Sequence, residues 1–140
     1  MDRIDRSILA ALQDNARISN IDLANHVGLS ASACLRRVAQ LEANHVIDGY
    51  HANVNAGKIG YDVLVLMHIT LRGQSAAMMA EFEDAVSRIP QVLACFLIAG
   101  GNDYILRVAA RDVNDFGRIH STDLSALPHV LRMESNFVLR

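Results

Sequence analysis

The sequence predicts an α+β protein in two parts, and three observations carry that reading. The N-terminal third holds short stretches with helical apolar spacing, separated by turn residues. The texture changes between Gly57 and Asp62, where the nearly continuous apolar run "VLVLMHITL" begins. From there, β-branched runs and amphipathic stretches follow in the order βαββαβ, a ferredoxin-like arrangement. The expected division is an N-terminal unit over 1–61 and a C-terminal unit over 62–140.

Ile4, Ile8, Leu9 and Leu12 form the first apolar stripe, with Asp2 placed to cap the helix. After "DNARIS" breaks it, Ser19 and Asp22 resemble a capping box with a shorter acid, and Leu23, Ala24 and Val27 mark a two-turn helix. Gly28 supplies a turn and Ser30 a cap for a third helix. At 100° per residue, Cys34, Val38 and Leu41 share one face of that helix, with Leu35 on its edge. Ser32, Arg36 and Gln40 lie opposite, and Arg37 sits on the flank. "HVIDGYHANV" reads as two short extended pieces around Asp48-Gly49, a hairpin turn signal. Three helices and a small hairpin make a winged helix-turn-helix layout.

In the second part, Val63–Leu71 reads as a buried strand. Met78, Phe82, Ala85, Val86 and Ile89 mark an amphipathic helix ended by Pro90. "VLACFLIA" and "YILRVAA" read as strands joined by the turn "GGND". Val113, Phe116, Ile119 and Leu127 mark a second helix ended by Pro128. On the last strand Leu131, Met133, Phe137 and Leu139 alternate with Arg132, Glu134, Asn136 and Arg140. Runs this apolar suggest that both sheet faces are covered, the second by the sheet of a partner subunit.

Bulk composition excludes several classes of function. Of the 140 residues, 51% are hydrophobic and 20% charged, enough to bury a core and unlike a disordered chain. No run is long enough to span a bilayer, and "MDRIDRSIL" is charged from its second residue, unlike a secretory leader. A cytoplasmic protein without a membrane partner is expected. Cys34 and Cys95 lie in apolar runs without CxxC spacing, which reads as two packed, reduced thiols. The six histidines form no ligand spacing, and no nucleophile–base set or phosphate-binding glycine motif appears. No metal, cofactor or enzymatic activity is therefore expected.

The net charge is −2, and the first part is no basic block. Its cations Arg3, Arg6, Arg17, Arg36, Arg37 and Lys58 are balanced by Asp2, Asp5, Asp14, Asp22, Glu42 and Asp48. DNA binding would then rest on a few placed groups, doubled by dimerisation. Ser30, Ala31 and Ser32 open the third helix, and Arg36 and Gln40 have the chemistry to pair with guanine and adenine edges. Arg37 on the flank is aimed at a phosphate. Arg17, ahead of the amides at Ser19 and Asn20, fits a phosphate clamp. In the second part, Gly100 and Gly101 would let backbone amides converge on a carboxylate, with Asn102 beside them and Asp103 facing an ammonium group, a set suited to a free amino acid.

These stretches resemble the Lrp/AsnC (feast/famine) transcriptional regulators over essentially the whole chain. "DRIDRSILAALQDNARISNIDLANHVGLSASACLRRVAQLEANHVIDGY" is similar to their DNA-binding half, and "VLACFLIAGGNDYILRV" with "LPHVLRMESNFVLR" to their regulatory domain. The resemblance implies a sequence-specific regulator of double-stranded DNA, built from homodimers that assemble into tetramers or octamers. It further implies a free amino acid effector bound between dimers at Gly100, Gly101, Asn102 and Asp103, with Ser135 as a further contact. Asn44-His45 replaces the family's usual glycine, and Asn is expected to take the left-handed conformation there. An architectural DNA-binding protein without an effector is the alternative.

Overall fold

Side-chain caps set where the helices begin in the computed structural model, which describes residues Met1–Leu139. Arg140, assigned above to the polar face of the last strand, lies outside the described residues. The chain divides into two units, Met1–Asn53 and Val54–Arg140.

In the first unit, α1 (Arg3–Asp14) begins at Asp2. The Asp2 carboxylate accepts from the Asp5 N–H and the Asp5 carboxylate accepts from the Asp2 N–H, a reciprocal capping box. Helix α2 (Asn20–Val27) begins at Ser19, whose hydroxyl accepts from the Asp22 N–H and donates to the Asp22 carboxylate. It stops at Gly28, where φ is 72° and glycine pays no Cβ penalty. Helix α3 (Ala31–Ala43) begins at Ser30, which caps the Ala33 N–H. Ile8, Leu23, Ala24, Cys34 and Leu41 are buried where the three helices meet.

The expected hairpin around Asp48-Gly49 does not form. The Val46 and Ile47 amides both donate to the Leu41 carbonyl, and Ile47 packs against the helical core. The Tyr50 hydroxyl donates to Glu42 at 2.8 Å, so the segment follows the end of α3 instead of pairing with itself. A two-stranded hairpin with no third strand is marginal in water, and these local bonds win. The left-handed residue is His45 (φ 53°), not Asn44, whose φ is −88°.

The second unit is a four-stranded antiparallel sheet in the order β2-β3-β1-β4. Its strands are β1 (Val63–Leu71), β2 (Val92–Leu97), β3 (Tyr104–Ala110) and β4 (Val130–Phe137). Helices α4 (Ala76–Ser87) and α5 (Val113–Thr122) complete the βαββαβ order. Val65, Met67, Ile69 and Leu71 point to the face the helices cover and are buried, while Leu64, Leu66, His68 and Thr70 are half-buried on the open face. Cross-strand register puts Phe96, Ile105, His68 and Glu134 in one row across the open face, and Ala94, Arg107, Leu66 and Asn136 in the next.

Three local expectations change. Leu71 pairs with Val130 but Thr70 pairs with Arg132, so Leu131 is the extra residue of a bulge. Leu131 is exposed, and Val130 takes the place opposite Leu71. Helix α5 ends at Thr122 and a 3-10 turn (Leu124–Ala126) brings Leu127 into the core. The Ser121 and Thr122 hydroxyls bond back to the Arg118 carbonyl, which weakens the helical ladder there. Cys34 is buried as expected, but Cys95 is exposed because β2 is an edge strand.

Candidate nucleic-acid interface and ligand site

In the first unit, Cys34 and Leu41 pull one side of α3 into the core, which leaves Ser32, Arg36 and Gln40 exposed along the other. Four-residue spacing makes those three one ridge. Two bonds set the angle between α2 and α3. The Asn20 side-chain amide donates to the Ala31 carbonyl at 2.8 Å, and the Leu29 N–H donates to the Ala24 carbonyl at 2.9 Å. The Asn20 side chain thus holds the helix pair together, and it is not the backbone amide that was expected to meet a phosphate.

Ser19 and Ser30 spend their hydroxyls as caps, and the Ser30 and Ser32 oxygens lie 3.3 Å apart. Arg17 is exposed, and its backbone N–H donates to the Asn15 side chain. The paired arginines separate sharply. Among the described residues Arg36 makes no ion pair, whereas the Arg37 guanidinium lies 2.7 Å from both Asp2 and Asp5. The reciprocal backbone bonds of the capping box, then Arg37, hold the Asp2 and Asp5 carboxyls below the usual range. Arg37 therefore turns to α1 and not to the flank where a phosphate was expected.

In the second unit, the turn after β2 borders a cleft of about 640 Å³. Leu71, Met79, Leu97 and Ile98 form its apolar wall, and Gln74 and Asp103 its polar side. A Cβ built on Gly100 or Gly101 meets nothing within 4 Å, so the space over the turn is open. Asn102 is held by β1: Thr70 donates to its carbonyl at 3.1 Å, and its amide nitrogen lies 3.4 Å from the His68 ring. The Asp103 carboxylate is buried, and it accepts from the Leu71 N–H at 2.7 Å and from Gln74 at 2.6 Å.

Asp103 is thus part of the fold as well as of the cleft wall. Ser135 stands apart: it pairs with Met67 on the helix-covered face and does not line the cleft. Gln74 and Met79 escaped the sequence reading because they lie more than twenty residues from the glycine turn. The only available signal was their place just after an apolar strand. Behind the cleft, Tyr104 packs on Phe82 with ring centroids 4.8 Å apart and donates its hydroxyl to Glu83. Burial, then the Glu83 carboxylate, pushes the Tyr104 phenol up.

A helix-turn-helix unit followed by a ferredoxin-like unit with an open turn-side cleft defines a class of DNA-binding regulators with a ligand-binding domain. The comparisons with known proteins agree. Residues 1–48 match a winged helix-turn-helix DNA-binding model, and residues 64–140 match the Lrp/AsnC ligand binding domain. The chain belongs to the Lrp/AsnC family of transcriptional regulators.

It is 38% identical to the Bkd operon transcriptional regulator of Pseudomonas aeruginosa, over all of this chain and 92% of that one. It is 37% identical to the leucine-responsive regulatory protein of Escherichia coli, over 93% of this chain and 79% of that one. A Neisseria meningitidis transcriptional regulator in complex with L-Met superposes with a TM-score of 0.94 at 31% identity, covering all of this chain and 90% of that one. Its relatives are regulators, and the chain is a transcriptional regulator rather than an enzyme. Among the described residues no helix is long and apolar enough to cross a membrane.

Proposed function

We propose that the protein is a cytoplasmic, sequence-specific regulator whose α3 enters the major groove of double-stranded DNA and whose DNA affinity responds to a free amino acid. The observation that carries the first half is the contrast within α3. Among the described residues Arg36 makes no ion pair on its ridge with Ser32 and Gln40, while Arg37 is held by two carboxylates. An unpaired guanidinium is the best single reader of guanine, and Gln can pair with adenine. Ser30 and Ala31 bring the first turn of α3 to the groove, while Arg17 and the amides at Ser19 and Asn20 meet the sugar-phosphate backbone.

The second half is supported by the open glycine turn, the buried carboxylate of Asp103 and the apolar wall of the cleft. The Neisseria relative with bound L-Met makes an amino acid the natural ligand class. Homodimers form through the open sheet face, where Leu64, Leu66, Ile105 and Phe96 leave apolar surface uncovered, and tetramers or octamers place the effector between dimers. Gly100, Gly101 and Asn102 hold the carboxylate end of that effector. Ser135 remains a contact only if the assembly brings it there.

Gel-shift titrations on sequences selected from random duplexes test the DNA half. Arg36→Ala is expected to lose about 1–3 kcal/mol of discrimination at one base pair. Unchanged preference would remove Arg36 from the groove. In the same titrations, Arg37→Ala is expected to leave the slope of log K against log salt unchanged. Loss of a true phosphate contact would flatten that slope by about 0.9. For the effector half, a thermal-shift screen of the twenty amino acids is expected to find at least one that raises the melting temperature.

A further inference from the structure

The polar ridge of α3 has an apolar neighbour. Ala31, Leu35 and Ala39 recur at four-residue intervals directly beside Ser32, Arg36 and Gln40, and all three are exposed. Leu35 is 59% exposed, although the residue before it, Cys34, is fully buried. Nor does Leu35 join the partly buried side chains packed on the helical core, such as Val38 and Leu29. An exposed leucine flanked by two alanines is therefore presented outward, next to Arg36, which makes no ion pair among the described residues.

We propose that Leu35 is a specificity-determining residue that reads thymine by packing on its C5-methyl group. The methyl is the apolar feature that base edges offer in the major groove, where A·T and G·C pairs otherwise differ in donors and acceptors. Alanines one turn before and after leave room for the groove wall, so the leucine tip reaches furthest. Arg36 then reads a neighbouring base by hydrogen bonds while Leu35 reads shape and apolarity. Contact with a methyl group removes roughly one CH₂ equivalent from water, which corresponds to an affinity change of about three- to fivefold. This inference rests on the reading that α3 enters the groove.

The test uses the full chain and duplexes that it selects from a random pool. Each thymine of a selected duplex is replaced in turn by deoxyuridine, which removes only the methyl group. The wild-type chain is expected to lose about three- to fivefold in affinity at one or two positions. Leu35→Ala is expected to bind the parent duplex more weakly by a similar factor, and to ignore deoxyuridine at those same positions. Leu35→Met, which keeps an apolar tip, is expected to retain the sensitivity. Far-UV circular dichroism checks that both variants fold.

Selected sites without thymine, or a wild-type chain indifferent to every deoxyuridine, would overturn the proposal. So would a Leu35→Ala chain as sensitive as the wild type. Arg36→Ala separates the two levels of failure. If it alters base preference while Leu35→Ala does not, only the methyl reading falls. If neither variant alters preference, α3 is not the reading helix and both readings fall together.

Discussion

Phe82→Ala is expected to destabilise the second unit by about 3–5 kcal/mol, most of what holds a small domain folded. The ring is fully buried, stacks on Tyr104 at 4.8 Å and fills the layer between α4 and the helix-covered face of the sheet. Its removal leaves a cavity walled by strand residues that are themselves fixed by backbone pairing, so the space cannot collapse. Tyr104 also loses the neighbour that holds its hydroxyl against Glu83. For a unit of this size the melting temperature should fall by roughly 15–30 °C. Phe96→Ala is the control. That ring is 54% exposed on the open face, so its truncation should change the stability of an isolated chain little. A melting temperature within a few degrees of wild type for Phe82→Ala would show that the α4 packing described above is not what supports the sheet.

Asp103 is expected to give opposite answers when changed to alanine and to asparagine. Its two oxygens accept from the Leu71 N–H and from Gln74, tying the start of β3 to the end of β1. Asp103→Ala leaves the Leu71 N–H without its acceptor in a buried place and should cost about 2–3 kcal/mol. Any loss of effector binding in that variant would therefore be confounded by damage to the fold. Asp103→Asn keeps an acceptor for Leu71, and a flipped Gln74 can offer its carbonyl to the new amide, so most of the stability should return. What does not return is the negative charge that would meet an ammonium group. Calorimetry with the amino acid found in the thermal-shift screen is expected to show binding weakened at least tenfold in Asp103→Asn at near-wild-type melting temperature. Undiminished binding would remove Asp103 as the ammonium partner.

The parts of the fold legible in the sequence are those whose burial is set by one element alone. Strands β1 and β3 run over the residues expected because each is a continuous apolar run ended by turn residues. Strand β2 stops at Leu97, two residues early, because the Ile98 N–H closes the turn by donating to Asp103. The hairpin of the first unit failed where a turn signal had no partner surface, and local bonds to Leu41 and Glu42 at the end of α3 took its amides and its tyrosine. Helical angles put Arg37 on a different side of α3 from Arg36, but nothing near it in sequence announced Asp2 and Asp5, more than thirty positions away, which draw it to α1. Asp103 was legible as a polar residue in a glycine turn. Its second duty was not, since the Leu71 amide comes from a different strand.

Strand β1 has a consequence for how such a protein can change over generations. Its odd-numbered residues from Val65 to Leu71 face the helices and its even-numbered residues from Leu64 to Thr70 face away. The parity of a position therefore decides what a substitution puts at risk. Odd positions admit only changes that keep volume, because the chain's own folding depends on them. Leu64 and Leu66 on the even side are free of that duty and of the contacts that hold Asn102, so they can drift with whatever surface meets the open face. With the open face as the proposed contact between copies of the chain, two lineages carrying the same fold would in this way lose the ability to mix their subunits while each keeps its own core intact.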